Sequence, residues 1–411
     1  MSRLPCLFVL LAITARLPAA ETWTRFRGHN GAGISKVTGI PHQWTVEDYR
    51  WNRKLPGSGH SSPVIWGKTI FITCGNEKTG ERFLLAVDAD SGTTLWQKEF
   101  ARQVHPKHTL NSFASTTPTV DEQAVYINWG TPEQVTILAI GHDGSTRWKV
   151  DLGAFRSGHG YGVSLMLHGD LLIVPNEHEG DSFLVALDKK DGTIRWKVDR
   201  DSRATYSTPC LLNNAGREEL IFTNYHHGVT SLDPGTGRLL WQADIFDKSH
   251  IESSIASPVI AGNLVLATSG WLGHGNELIA VKPPRPGEQD IGRPVFRIAR
   301  GAPLCTTPLV YEDLLILWSD SGIVTAASAS TGEVHWQKRI GGTFYASPIC
   351  IDGAIYNIDS QGRVIVLAAA TRFKELGRCS LGDVCHSTPA VAHGRLYLRT
   401  SSGLSALDRK P

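Results

Sequence analysis

The chain predicts an all-β fold, an eight-bladed β-propeller of four-stranded antiparallel blades, on three observations. One pattern, Ala-x-Asp followed by Gly-x-x-x-Trp, returns at an average step of roughly 47 residues, a period at which short β-rich units must stack because none buries its own apolar face alone. A second element, two small residues followed by Pro, returns ahead of each copy. The two chain ends carry complementary fragments of one further unit.

Taken in order, the clearest copies are LLAVDADSGTTLW (84–96), LVALDKKDGTIRW (184–196) and TSLDPGTGRLLW (230–241), with weaker ones at 137–148 and 324–336. The Trp position is filled by Trp51, Trp96, Trp148, Trp196, Trp241, Phe296, Trp336 and, by alignment alone, Leu376. The Pro element gives the same count of eight: Ser61-Ser62-Pro63, Thr116-Thr117-Pro118, Ser207-Thr208-Pro209, Ala256-Ser257-Pro258, Thr306-Thr307-Pro308, Ala346-Ser347-Pro348 and Ser387-Thr388-Pro389, with Leu165 of GYGVSLML in the remaining place. An apolar run follows each, then a short turn and a second run such as 69–73 or 314–318. Four runs of about 4–6 residues per unit match the four strands of a blade. Helical periodicity is nowhere sustained. Trp51 lies on an outer strand with no third strand before it, whereas LSALD, from Leu404 through Asp408, is a third strand with no outer strand after it. The strand near Trp51 is therefore expected to pair with the C-terminal one, closing the ring and removing its open edges.

The first twenty residues read as a signal peptide: Arg3, an apolar stretch too short to span a bilayer, and small residues before a cleavage point. Cys6 lies too early, and without Leu-Ala-Gly ahead of it, for lipid attachment. Residues 21–48 fall outside the repeat and are expected to form an arm lying on the ring, with the propeller occupying 49–411. The 41 basic and 39 acidic residues give a net charge of +2, so no broad basic field exists to hold nucleic acid. A periplasmic or secreted protein is expected, without a membrane span and monomeric. Six cysteines remain after cleavage, none in CxxC or CxxCH spacing, which argues against a zinc finger or covalent haem. Export permits disulfides, and Cys379 with Cys385 is the favoured pair, free buried thiols being the alternative.

The repeat resembles the pyrroloquinoline quinone (PQQ)-type propeller repeat of the quinoprotein alcohol dehydrogenase-like superfamily, over about 49–410. The opening WTRFRGHNGAGIS and the segment GSGHSSPVIWG also resemble secreted PQQ-like propeller proteins of environmental bacteria. The resemblance implies that each Trp stacks on the Gly peptide of a neighbouring blade, near the Ala of its third strand. Ala86, Gly92 and Trp96, and Ala186, Gly192 and Trp196, would be such parts, as would Trp51, Trp148, Trp241 and Trp336. These are packing devices and say little of function. The adjacent cysteines that cover the quinone in many superfamily dehydrogenases do not occur.

Histidines carry the best hint of chemistry. Loops from outer strand to next inner strand, and from second to third strand, share one face of a propeller. His105, His108, His159 and His250 fall in the first kind and His178, His226, His227 and His274 in the second, while His60 and His386 begin inner strands. Ten of the sixteen histidines thus map to one face, accompanied by Lys107, Asn111, Arg156, Glu177, Glu179, Tyr225, Glu252 and Trp271. Convergence of these loops on a funnel would make a binding site, although a polar loop face with nothing bound explains the bias equally well. No GxSxG, phosphate loop or HExxH is present.

Three functions compete. The favoured one is a non-enzymatic binding or assembly scaffold that takes a protein or polymer partner on the loop face, resembling in fold the propeller of the outer-membrane protein assembly machinery. The others are a PQQ-dependent alcohol or sugar dehydrogenase, holding PQQ with Ca2+, and a metal-dependent enzyme on the His-rich face. No cofactor is firmly indicated.

Overall fold

A computed structural model describes residues 22–100, 102–249, 253–271, 275–288 and 290–410. Eight sheets, each built on four antiparallel strands, make a ring. Blade 1 comprises Val64–Trp66, Thr69–Gly75, Arg82–Asp88 and Thr94–Phe100, numbered outward from the axis. Blades 2 to 7 begin at Thr119–Val120, Met166–His168, Cys210–Asn214, Val259–Ala261, Leu309–Tyr311 and Ile349–Ile351. Blade 8 takes three strands from the C-terminal end, Ala390–Ala392, Arg395–Arg399 and Gly403–Asp408, and its outer strand, Tyr49–Lys54, from the N-terminal side. Trp51 pairs with Ala406 and Asn52 with Ser405.

The second and third strands are buried along nearly their whole length because both faces of a blade pack on neighbours, while outer strands alternate. The core therefore lies between blades: Phe71, Leu84 and Ala86 of blade 1 pack with Val125, Ile127 and Leu138 of blade 2. In every blade a bulge falls just after the residue opposite the signature Trp, as between Ala86 and Val87 or Ala186 and Leu187. The bulge turns the Trp ring onto the next blade. Gly92 sits on the ring of Trp51, Gly192 on Trp148 and Gly237 on Trp196, and the indole N–H donates to the same neighbouring turn: Trp51 to Ala89 O (3.1 Å), Trp148 to Lys189 O (3.0 Å), Trp196 to Pro234 O (2.8 Å). Trp241 departs from this. It stacks under Gly292 but donates to the buried carboxylate of Glu219 in its own blade, at 2.5 Å.

Blade 7 also departs, and corrects the alignment. Gly377, not Leu376, stands opposite Val366 in the Trp register, with Leu376 taken up by the bulge. A side chain at Gly377 would run into the carbonyl of His42, so the N-terminal arm covers the place that a Trp occupies elsewhere.

The first part of the arm, from Thr22 to Ser35, lies inside the ring rather than on it. Thr22–Trp23 adds to the inner edge of blade 1 antiparallel, and Ile34–Ser35 adds to the inner edge of blade 7 in parallel. Between them the chain climbs to Phe26 and returns, bonding as it goes: Val120 N to Thr24 O, Arg25 to Pro209 O (2.6 Å), Arg27 to Pro348 O (3.1 Å), and Asn30 to both backbone groups of Leu211. The physical reason is the channel wall, where inner strands present unpaired N–H and C=O groups that the arm satisfies. It enters and leaves on the face of the first-to-second-strand turns, as does the final strand, since Thr22 pairs with Trp66 and Lys410 N donates to Gly39 O.

Cys379 and Cys385 are not bonded to each other, and all six described cysteines are free thiols. The Cys385 thiol is fully buried and donates to the carbonyl of Arg399 at 3.0 Å.

Candidate funnel on the loop face

The Pro elements build the inner wall in two tiers. The residue directly before the Pro, or before Leu165 in blade 3, carries a hydroxyl in all eight blades, and at six joints it accepts from the equivalent backbone N–H of the preceding blade: Thr117 Oγ1 from Ser62 (2.9 Å), Ser164 Oγ from Thr117 (3.0 Å), Ser257 Oγ from Thr208 (2.9 Å), Thr307 Oγ1 from Ser257 (3.3 Å), Ser347 Oγ from Thr307 (2.9 Å) and Thr388 Oγ1 from Ser347 (2.9 Å). Between blades 8 and 1, Ser387 Oγ and the buried Arg399 both donate to Ser61 O at 2.9 Å. This belt explains why the element is Ser/Thr-rich: at those six joints the hydroxyl pairs an amide that would otherwise be orphaned.

Two residues farther up stand His60, Ser115, Gly162, Tyr206, Ile255, Cys305, Tyr345 and His386, one per blade, and all eight line a cavity of about 500 Å³ that opens on the loop face. Phe26, at the apex of the arm, also lines it, so the funnel is blind. Tyr206, Tyr345, Cys305 and Ile255 escaped the sequence reading although their spacing from the Pro element was available as a signal.

Of the predicted face residues, His60, His108, Asn111, His159, Tyr225 and Trp271 line this cavity, as does His386. Asn111 is a brace between loops, donating to His159 O (2.7 Å) and Tyr161 O (3.2 Å). His108 and His159 lie with ring centres 5.1 Å apart. Tyr225 donates its hydroxyl to Asp247 O, and Trp271 is 38% exposed at the rim. His105 is instead set in a small recess beside Asn111, against Arg82 (3.1 Å) and the ring of Phe113. Glu177 and His178 are not on the funnel wall. Glu177 is buried in an ion pair with Arg200 at 3.0 Å, burial raising its pKa against the pull of the guanidinium. His178 packs on Phe155, accepting from Arg156 N and Gly180 N. His227 turns toward Asp201 O (3.0 Å), and His226 lies beside the ring of Tyr225; neither lines the cavity. These four are engaged instead by groups beside them: Glu177 by Arg200, His178 by Phe155 and Arg156, His227 by Asp201 and His226 by Tyr225. His250, Glu252 and His274 lie outside the described residues.

The wall is electrically quiet. Burial first, then the neighbouring His386, Arg399 and Lys107, push the His60 imidazole down to about 3. Burial also lowers His386, and burial with His108 lowers His159. Glu179 is the only carboxylate and Arg203 the only guanidinium among the described lining residues. No group of three or more His, Cys, Asp or Glu able to hold a metal ion occurs among the described residues.

The family model described as outer membrane protein assembly factor BamB matches residues 41–178, 80–311 and 289–410. The outer membrane protein assembly factor BamB of Yersinia pestis is 22% identical over 356 residues, 84% of this chain and 72% of that protein. Among solved structures, BamB from Moraxella catarrhalis superposes with a TM-score of 0.61 at 17% identity, over 87% of this chain and 98% of that one. The quinohemoprotein alcohol dehydrogenase of Comamonas testosteroni superposes at 0.68 and 10% identity, over 95% and 81%. At these identities the structural likeness establishes the propeller alone.

Proposed function

Because the chain belongs to the PQQ-like propeller family described as outer membrane protein assembly factor BamB, we propose that it is an exported, non-enzymatic scaffold, acting in the periplasm or outside the cell, which holds a polypeptide partner on its loop face. The observation that carries this reading is the blind funnel. A ring whose channel is stopped from below by its own arm presents a concave bowl rather than a conduit, and loops from all eight blades frame it. Bowls of this kind on a rigid scaffold suit recognition. The relatives named as assembly factors point the same way.

The lining bears on the dehydrogenase reading as well. Calcium takes six to eight oxygen ligands, and the described wall offers one carboxylate, Glu179. The described residues do not fit a calcium-bound quinone. No helix among the described residues is long and apolar enough to cross a membrane.

The test is site-specific photo-cross-linking in cells producing the protein. A benzophenone amino acid at Leu110, on the funnel, is expected to capture an envelope protein, identified by mass spectrometry, whereas one at Lys190, on the opposite turns, is not. Capture at Lys190 alone, or at neither position, would overturn the proposal.

A further inference from the structure

Blades 7, 8 and 1 set three amphipathic rings side by side in the funnel wall. Tyr345 meets His386 edge-on with ring centres 4.7 Å apart, and His386 meets His60 at 4.5 Å. Their ring faces are partly committed to one another. Their polar tips are not: Nδ1 of His386 is buried without a hydrogen-bond partner, and no described residue pairs with the ring nitrogens of His60 or the hydroxyl of Tyr345. A buried polar nitrogen left unpaired has lost its water without recompense, so this wall is incomplete as it stands.

We infer that the Tyr345–His386–His60 wall is a binding subsite for an uncharged, hydroxyl-rich ring, the terminal residue of a neutral glycan. Each neutral imidazole offers one donor and one acceptor and the phenol offers both, the complement of sugar hydroxyls, which also donate and accept. A purely apolar ligand would leave the Tyr345 hydroxyl and the ring nitrogens of His60 unpaired. A cation meets no carboxylate on this wall, and an anion meets no free cation: Arg399 is wholly buried behind it, with Nη1 spent on Ser61 O at 2.9 Å and Ser61 Oγ at 2.5 Å. Depth decides the rest. The cavity of about 500 Å³ is floored by Phe26, so it admits the end of a chain and not its middle, and its size is that of small-molecule sites. This goes beyond the scaffold reading, which concerns a polypeptide held at the bowl and not a small ring bound in its wall.

Isothermal titration of the purified protein with maltotriose, cellotriose, mannotriose and chitotriose, beside the anionic trimer of galacturonate, tests it. At least one neutral trisaccharide is expected to bind with Kd of about 1 mM or tighter. Tyr345→Phe, which removes one hydrogen bond, is expected to weaken it about three- to tenfold, His386→Ala about tenfold or more, and His335→Ala on an exposed outer strand not at all. The inference is overturned by folded protein that binds no neutral trisaccharide, by tighter binding of the galacturonate trimer, or by undiminished affinity in both Tyr345→Phe and His386→Ala. Loss of the Leu110 cross-link with saccharide binding intact removes the scaffold reading alone. The opposite pattern removes this one alone.

Discussion

Replacing Gly237 by Ala isolates the force that docks one blade on the next. Gly237 has φ +70°, and a Cβ there would lie 2.7 Å from Cδ2 of the Trp196 ring. Two costs follow. An L-residue in the left-handed region loses about 1–2 kcal/mol, and forcing a carbon into a packed joint costs a further 1–3 kcal/mol or so. Gly262 serves as the reference, because its φ is +58° and a Cβ there meets nothing within 4 Å; Gly262→Ala carries the backbone cost only. Gly237→Ala is therefore expected to destabilise by about 2–5 kcal/mol and Gly262→Ala by about 1–2. In a Trp196→Ala background the cost at Gly237 should fall to that at Gly262, since the clashing ring is gone. Urea titrations followed by far-UV circular dichroism give the comparison, provided the slopes stay equal. Equal losses at the two glycines in the wild-type background, or strict additivity with Trp196→Ala, would refute the stacking argument.

Trp196→Ala alone should cost about 3–5 kcal/mol, whereas Trp271→Ala, at an exposed rim position, should stay within about 0.5 kcal/mol; similar losses in denaturation would place Trp271 in a joint. Truncation after Gly403 removes the strand that pairs with Tyr49–Lys54, so the melting temperature should drop and sedimentation should reveal self-association through the open edge; an unchanged melt contradicts that closure. His60 has a folded pKa of about 3 against an ordinary 6.5. The unfolded chain therefore takes up a proton that the folded chain refuses, and this group's contribution to stability is complete above about pH 6.5 and declines as pH falls toward 3. Imidazole NMR should show no titration of His60 above about pH 4, and a midpoint near 6.5 would disprove the burial argument.

Blade number and ring closure were legible because packing between blades repeats, and repetition writes itself into sequence as a period. Gly377 was not, because there the arm, which lies outside the repeat, replaces the Trp. Nothing in 21–48 shows periodicity, so the place of residues 22–35 inside the channel could not be read; only the unpaired inner edges they cover explain it. Of the histidines assigned to one face, His60, His108 and His159 line the funnel, and their loops lead directly into inner strands. His178, His226 and His227 do not line it, since a loop's face does not fix a side chain's direction. Tyr206, Tyr345 and Cys305 were hidden for another reason: a ring of unlike residues at one register looks random along the chain and becomes a wall only when the ring is closed.

That residues 22 and 410 both lie on the turn face has a practical consequence for display. A fusion partner, label or surface linker joined at Thr22 or Lys410 departs from the side opposite the bowl. An array immobilised through a C-terminal tag would expose every funnel in the same direction, and two copies joined in tandem would be tethered back to back rather than mouth to mouth.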